Sequence, residues 1–560
     1  MIKKIFATFD SDIKKKFSIY LILSIIFVFV EVSLVGSLYP IFQNFFSENS
    51  KDLIILVYLN NIVDVSNQDT LLIIVFTLVV FRFFYFIFFN LYKNLFLQDL
   101  QKKIAEKIFR NFFITKTYNE FVNYNSSILI RDLVNESQTF KKFINVVISL
   151  IVELLLILSF SLFLLIVSPK IFFYSAFFLF SIGIIYFIFL KTFLTNLGAQ
   201  RIVTIKDIIG NISEAFRFFE IIKIQKKLNF FSNKNTENYK RLKNILVKTN
   251  VLQIIPRIIV ETLFFLLIVL SIYLISKSTN IKTELSVLGI FFVSFLRIYP
   301  SFIRIINSIQ DLNLFKKSVD GIYHQIKNKI SKPNKKNKKL EIEIKNYIEI
   351  KNFSLKYKSK YIFKKFNLKI KKNSFNAIIG ESGSGKSTLI KSILGLIKPE
   401  KAKVIVDKNI IKFREMNEFF RQNVGYASQN NLVLNSSLLQ NITLEENIDQ
   451  LTERQLIKLK KVFLESGLEQ FFNFKNDLKK LITEDGKNIS GGQLQRISLA
   501  RALYFSNGIL VLDEICSSLD ISSEKKIIDI LKKLSYNHII IYITHRENFF
   551  KEFNQVIKID

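Results

Sequence analysis

Asn376-Ala377-Ile378-Ile379-Gly380-Glu381-Ser382-Gly383-Ser384-Gly385-Lys386-Ser387-Thr388 decides the class of the second half of this chain. A short apolar strand runs into a glycine-rich turn, and the apolar-periodic stretch 389–396 follows as a helix. Gly380, Gly383 and Gly385 let backbone N–H groups turn inward around phosphate oxygens, with Ser382 in the same turn and Thr388 in the first helical turn. The helix N-terminus adds positive potential, Lys386 neutralises β- and γ-oxygens, and the Ser387 hydroxyl is a ligand for Mg2+. A chance glycine-rich turn would not come with a strand before it and a helix after it. The pattern therefore predicts a triphosphate site.

Downstream, Ile509-Leu510-Val511-Leu512-Asp513-Glu514 ends an apolar strand in two carboxylates, more than a strand end needs. Asp513 suits Mg2+ through water, and Glu514 suits polarisation of an attacking water opposite a γ-phosphate. Between the two motifs lies Ile489-Ser490-Gly491-Gly492-Gln493-Leu494-Gln495-Arg496, opening a helical run. This stretch resembles the LSGGQ signature of the ABC ATPases. A Ser-Gly-Gly turn at a helix start is a second anion site without a charged side chain. The order supports the resemblance: phosphate loop, signature, acidic strand, then Ser517-Ser518-Leu519-Asp520, similar to the D-loop, and His545, similar to the switch histidine. By place, Gln429 resembles the Q-loop glutamine and Tyr357 the aromatic that stacks on adenine. The resemblance implies ATP and Mg2+ as cofactors, with Glu514, His545 and Gln429 catalytic and Ser387, Gln429 and Asp513 around the metal. Tyr357, the phosphate-loop residues, Ser490, Gly491, Gly492, Gln493 and Asp520 would contact ATP. The sequence departs from the family at Ile489, where Leu is usual, and at Thr483-Glu484-Asp485-Gly486; neither departure removes a catalytic group.

Upstream the composition changes. Half of the 560 residues are hydrophobic, Phe alone accounts for 59, and the apolar runs concentrate before residue 316, which excludes a disordered chain and points to a membrane. Six runs are long enough to cross hydrocarbon as helices: residues 17–42, 71–92, 143–167, 171–194, 251–275 and 285–309. Lys3, Lys4, Lys14, Lys15 and Lys16 precede the first, whereas the loop after it carries Glu48, Asp52, Asp64 and Asp69 against Lys51, so both termini are expected in the cytoplasm. The basic N-terminus reads as a retained anchor rather than a cleaved signal. Residues 52–59 read as a short helix in the outer loop. The spacing of Leu100, Ile104, Ile108 and Phe112 predicts that membrane helices continue into the cytoplasm. Lys, Asn and Pro crowd 329–339 and mark a linker. The expected plan is an all-α six-helix transmembrane domain (1–325), a linker (326–342) and an α/β P-loop ABC ATPase domain (343–560). The single cysteine, Cys516, excludes intrachain disulfides and paired-cysteine redox chemistry. The net charge of +33 reads as cytoplasmic loops near anionic lipid, and six spans leave no role for nucleic acid.

An exporter half-transporter carries one phosphate loop and one signature, and the family encloses ATP between two ATPase domains, so the resemblance implies a homodimer. Turns near Tyr118 to Phe121 and Ala215 to Phe219 would be the coupling contacts by analogy. Charges inside the bilayer hint at the cargo: Arg82, Arg257, Arg297 and Arg304, with Glu31, Glu153 and Glu261, which would either face a substrate or pair to fix helix register. Guanidiniums suit a phosphate or diphosphate head group. Residues 254–258 and 295–308, with Glu31 in 25–35, resemble the lipid-linked oligosaccharide flippase of bacterial protein N-glycosylation. That resemblance implies ATP-driven flipping of a polyprenyl-diphosphate-linked oligosaccharide across the bacterial inner membrane, with Arg82, Arg257, Arg297, Arg304 and Glu31 at the substrate and membrane lipid as a partner. A multidrug or lipid A type exporter, and an ATP-gated channel or sensor, are the competing readings.

Overall fold

The computed structural model describes residues 9–46, 68–167, 169–276, 281–327, 343–357, 360–381, 383–411, 413–516 and 520–559. The expected outer-loop helix at 52–59, Ser382, residues 517–519 and most of the expected linker lie outside the described residues, as do the side chains of Tyr357 and Arg297. The chain forms two compact units, one of residues 1–116 and 123–332, the other of 117–122 and 333–560.

Six long helices dominate the first unit among the described residues: α1 (Ser11–Phe46), α2 (Gln68–Thr115), α5 (Ser137–Val167), α6 (Pro169–Arg217), α8 (Leu228–Ser276) and α9 (Ile281–Lys327). Short helices α3 (Tyr118–Val122), α4 (Ser126–Arg131) and α7 (Phe219–Gln225) fall between them. A helix of 48 residues such as α2 is about 70 Å long, more than twice the hydrocarbon thickness of about 30 Å. The surplus forms the predicted extensions, along which Leu100, Ile104, Ile108 and Phe112 are all buried. Among the described residues, three stretches are long and apolar enough to cross a membrane by length and composition: Ser11–Leu34, Leu72–Thr115 and Ser126–Leu162. Phe29, Phe76 and Phe84 point outward from this unit, which suits a lipid-facing surface. Between α4 and α5 the chain runs as a π-helical turn, Asp132–Glu136, whose Asp132 accepts from Arg131 Nε at 2.9 Å and Gln325 Nε2 at 2.5 Å. Helix α9 continues to Lys327, so the first residues of the expected linker are helical instead.

The second unit holds two main sheets and a short antiparallel pair, β7 (Ser436–Ser437) with β8 (Leu481–Ile482). Strands β1 (Tyr347–Tyr357), β2 (Lys360–Lys371), β4 (Lys401–Val406) and β5 (Asn409–Ile411) form an antiparallel sheet in the order β2-β1-β4-β5. Strands β3 (Phe375–Gly380), β6 (Val424–Ala427), β9 (Ile509–Asp513), β10 (Ile539–Ile543) and β11 (Gln555–Ile559) form a parallel sheet in the order β11-β3-β10-β9-β6. Strands β9 and β10 are buried along their whole length, as expected for parallel strands covered on both faces. Helices α10 (Lys386–Ile393), α11 (Phe413–Asn423), α12 (Leu438–Thr443), α13 (Glu453–Glu465), α14 (Gly491–Phe505) and α15 (Ile521–Leu534) pack in the cores around this sheet. Helix α14 sits so close to β6 that a Cβ at Gly425 would fall 1.8 Å from the Ala502 carbonyl oxygen. Residues 117–122 group with this unit, and the Lys391 ammonium lies 5.4 Å from the centre of the Tyr118 ring.

Candidate active site

The C-terminal ends of β3, β9 and β10 converge, as parallel strands place their carboxyl ends together, and each carries part of the expected site. At the end of β3, Gly380 pairs with Ile559 of β11 so tightly that a Cβ there would lie 2.2 Å from the Ile559 carbonyl oxygen. Gly383 and Gly385 follow with φ of 90° and 96°, backbone that favours glycine. The turn delivers the chain into α10, whose first residue is Lys386. The Lys386 ammonium curls back over the turn and donates to the carbonyls of Gly380 (2.9 Å) and Glu381 (2.8 Å). Burial lowers its pKa from the ordinary lysine range, while Glu514 and Asp513 oppose that shift. Thr388 lies within the first turn of the same helix.

Asp513 closes β9 and is 4% exposed. Its Oδ2 accepts from the Tyr426 hydroxyl at 3.4 Å, and its buried Oδ1 has no hydrogen-bond partner. Burial raises its pKa, the adjacent Glu514 raises it further, and the Lys391 charge with hydrogen bonds from Tyr426 and Ser387 pulls the other way. An orphaned carboxylate oxygen beside a serine hydroxyl is the donor chemistry of a hard cation, which Mg2+ satisfies with one or two protein ligands plus phosphate oxygens. Among the described residues no cluster of three or more His, Cys, Asp or Glu could hold a metal. The residues present therefore fit a nucleotide-borne Mg2+ better than a dedicated all-protein cage.

The three residues expected to act on water come together. Glu514 Oε2 accepts from Gln429 Nε2 at 2.8 Å, and Glu514 Oε1 lies 2.7 Å from His545 Nε2. Each comes from a different segment: Gln429 follows β6, Glu514 follows β9 and His545 follows β10. Glu514 has a φ of 49°, and its N–H donates to the Ile543 carbonyl at 3.2 Å. This bond ties the carboxylate's backbone to the strand that presents His545.

Ser490 and its neighbours stand apart. Ser490 caps α14: its Oγ accepts from the Gln493 N–H at 3.3 Å, and Gln493 Oε1 accepts from the Ser490 N–H at 2.9 Å. A Cβ at Gly491 or Gly492 would touch nothing within 4 Å, so this helix start is open to a visitor. Among the described residues no hydrogen bond joins Ser490, Gly491, Gly492 or Gln493 to the phosphate loop of the same chain. Asp520 accepts from the Ser523 N–H at 3.1 Å and from the Ser522 hydroxyl as the N-cap of α15. Those bonds hold its carboxyl well below the usual range. Capping is a role the sequence reading did not assign to it.

Sequence reasoning missed the brace behind Gln429. Asn441, fully buried, accepts the Leu434 N–H at 2.7 Å and donates to the carbonyls of Leu434 (3.0 Å), Ser436 (3.3 Å) and Ser437 (3.1 Å). Arg501 adds bonds to the Leu432 carbonyl (2.7 Å) and the Asn441 carbonyl (2.6 Å). No local motif marks either residue.

In the first unit a cavity of about 400 Å³ is lined by Glu31, Arg82, Lys93, Ser149, Glu153 and Arg304 among others. Arg82 Nε donates to Glu31 at 2.6 Å, and Arg304 donates to both oxygens of Glu153 at 2.5 and 3.0 Å. The structure does not bring Arg257 into this cavity: it pairs one turn along its own helix with Glu261 at 2.9 Å, and its side chain is 66% exposed. Lys93 was missed because it sits one position past the expected end of the second span.

A family model described as ABC transporter matches residues 363–517. The alpha-hemolysin translocation ATP-binding protein HlyB of Escherichia coli O157:H7 is 32% identical over 261 residues, 46% of this chain and 36% of that protein. The leukotoxin translocation ATP-binding protein LktB of Mannheimia haemolytica is 33% identical over 221 residues, 38% of this chain and 30% of that protein. The chain thus spans about a third of the length of these curated relatives. The ergothioneine transport ATP-binding protein EgtV of Helicobacter pylori (strain G27) is 34% identical over 208 residues, 36% of this chain and 92% of that protein. Among solved structures, a bacterial Atm1-family ABC exporter with ATP bound superposes with a TM-score of 0.74 at 14% identity, covering 98% of this chain and 94% of that one. That likeness is one of fold: a helical transmembrane domain followed by an ABC ATPase domain. With the phosphate loop, the acidic strand end and the capped Ser-Gly-Gly turn in place, the chain belongs to the ABC transporter family.

Proposed function

We propose that this chain is one half of a homodimeric, ATP-driven exporter of the bacterial inner membrane, with both termini cytoplasmic, that moves a polyprenyl-diphosphate-linked saccharide between leaflets. The observation that carries the ATPase reading is the contact of Glu514 with both Gln429 and His545, beside the orphaned oxygen of Asp513. Lys386, Gly380, Gly383 and Gly385 cradle the phosphates of ATP, Thr388 supports the loop's exit, and Ser387 with Asp513 and Gln429 would hold Mg2+. When bound, that ion neutralises charge developing on the phosphoryl oxygens. Glu514 accepts the proton of the attacking water while Gln429 and His545 fix the carboxylate's position. The open Ser490 turn supports dimerisation. Among the described residues it makes no bond to its own phosphate loop, so a second copy would supply the Ser490, Gly491, Gly492 and Gln493 donors that complete the enclosure.

The cargo reading rests on the arginines and carboxylates around the transmembrane cavity, groups that cost several kcal/mol in hydrocarbon unless they serve a polar ligand or each other. The toxin translocators match over less than half of this chain, which says little about cargo. Reconstitution of the purified chain with a labelled lipid-linked oligosaccharide, against a Glu514→Gln form, tests the proposal. Translocation should require ATP and fail in the variant. Equal flipping by both forms without turnover would refute it.

A further inference from the structure

We propose that Lys93 is the anchor for the anionic head group in the transmembrane cavity, and that the flanking arginines shape the site without gripping the ligand. This rests on the reading above that the cavity receives cargo. Among the described residues, three cations, Arg82, Lys93 and Arg304, face two carboxylates, Glu31 and Glu153, so this part of the lining carries one positive charge in excess. Both arginines are committed. Arg304 spends two donors on Glu153 and a third on the Ser301 hydroxyl at 3.2 Å, and Arg82 is held by Glu31. The side chains of Glu31 and Glu153 are only 6% and 10% exposed. A guanidinium that turned to a ligand would leave one of these carboxylates uncompensated in a low dielectric, which disfavours the exchange.

Lys93 has no such commitment. Its ammonium carries three donors, and it reaches the Ser149 hydroxyl at 3.5 Å. Among the described residues no carboxylate lies within ion-pairing distance of it. The excess charge of the cavity therefore sits on the cation freest to meet an incoming anion. The wall beyond it is aromatic: Phe27 and Phe89 stack with ring centres 5.1 Å apart, and Tyr20 stacks on Phe89 at 5.2 Å. A charged pole beside an apolar wall fits an amphiphile with a phosphate or diphosphate head, and disfavours a cationic one.

The full chain in phosphatidylcholine nanodiscs is titrated with a fluorescent long-chain prenyl diphosphate, and inorganic diphosphate serves as a competitor. Lys93→Gln should weaken prenyl diphosphate binding by about tenfold or more, the scale of one lost charged hydrogen bond. Lys93→Arg should restore it. The double variant Glu31→Gln with Arg82→Gln removes a committed pair at constant charge and, because it reshapes the cavity without removing the anchor, should lose clearly less affinity than Lys93→Gln. Melting temperatures separate lost binding from lost fold, and Lys93→Met replaces the glutamine variant if that one does not fold. Full binding by the Lys93 variants, or an equal loss in the double variant, overturns the anchor alone. Competition by inorganic diphosphate at matching concentrations overturns the amphiphile assignment. A wild type that binds neither probe overturns the anchor and the cargo reading together.

Discussion

Replacing Asn441 by alanine should loosen the stretch that follows Gln429 while leaving the rest of the ATPase domain intact. The amide makes two donor interactions, one shared between two carbonyls, and accepts two, from the Leu434 N–H and from Arg501 Nη2 at 3.2 Å. Four hydrogen bonds at about 1 kcal/mol each amount to about 4 kcal/mol. Leu434 is exposed, so its peptide groups regain water in the variant, and about 3 kcal/mol is the expected loss. At about 1.4 kcal/mol per decade, local protection against amide exchange in residues 430–440 should fall about 100-fold. Exchange mass spectrometry on the full chain reads this directly, with α15 as the internal reference. Turnover should fall as well, because the loosened segment begins directly after Gln429, which bonds Glu514. Protection in 430–440 within about threefold of wild type would refute the brace. A uniform loss across the domain would refute its locality.

Glu514→Gln should cut ATP hydrolysis by about 100-fold or more while nucleotide binding persists, checked by phosphate release and by trapping of labelled ATP. Gly425→Ala places a methyl 1.8 Å from the Ala502 carbonyl oxygen and should destabilise the domain by about 2 kcal/mol, read as a lower melting temperature of the full chain. The Cys516 thiol is buried and pushed up to about 12 by that burial, so the thiolate needed for alkylation forms only near that pH. Iodoacetamide at pH 8 should leave it unmodified until denaturant is added, and prompt labelling of the native chain would contradict this packing.

Local chemistry made the phosphate loop and the acidic strand legible, because glycines, Lys386 and paired carboxylates at fixed spacing have few other uses. The convergence of Gln429, Glu514 and His545 was legible only through chain order and resemblance, since strand order in a parallel sheet cannot be read from spacing. Strands β1 and β2 escaped notice for a physical reason. Lysines crowd their outward faces, and the alternation of Ile348 and Ile350 shifts at a register break before Phe353 and Leu355. Asn352, with a φ of 52°, sits in that break. The intramembrane charges were visible as residues, but their partners were not. Arg82 meets Glu31 across 51 positions and Arg304 meets Glu153 across 151, while Arg257, equally prominent in the sequence, closes on its own helix. The brace at Asn441 was illegible because one buried asparagine in a six-residue helix has no period and no motif.

The left-handed backbone at Glu514 has a cost: a side chain with a Cβ is held where glycine would rest easily, at about 1 kcal/mol or more. The residue that most needs an acid is thus the one whose main chain would gain from having no side chain at all. Glu514→Gly should relax the main chain but forfeit the bonds to Gln429 and His545, so the ease of the backbone and the work of the side chain are opposed at a single position.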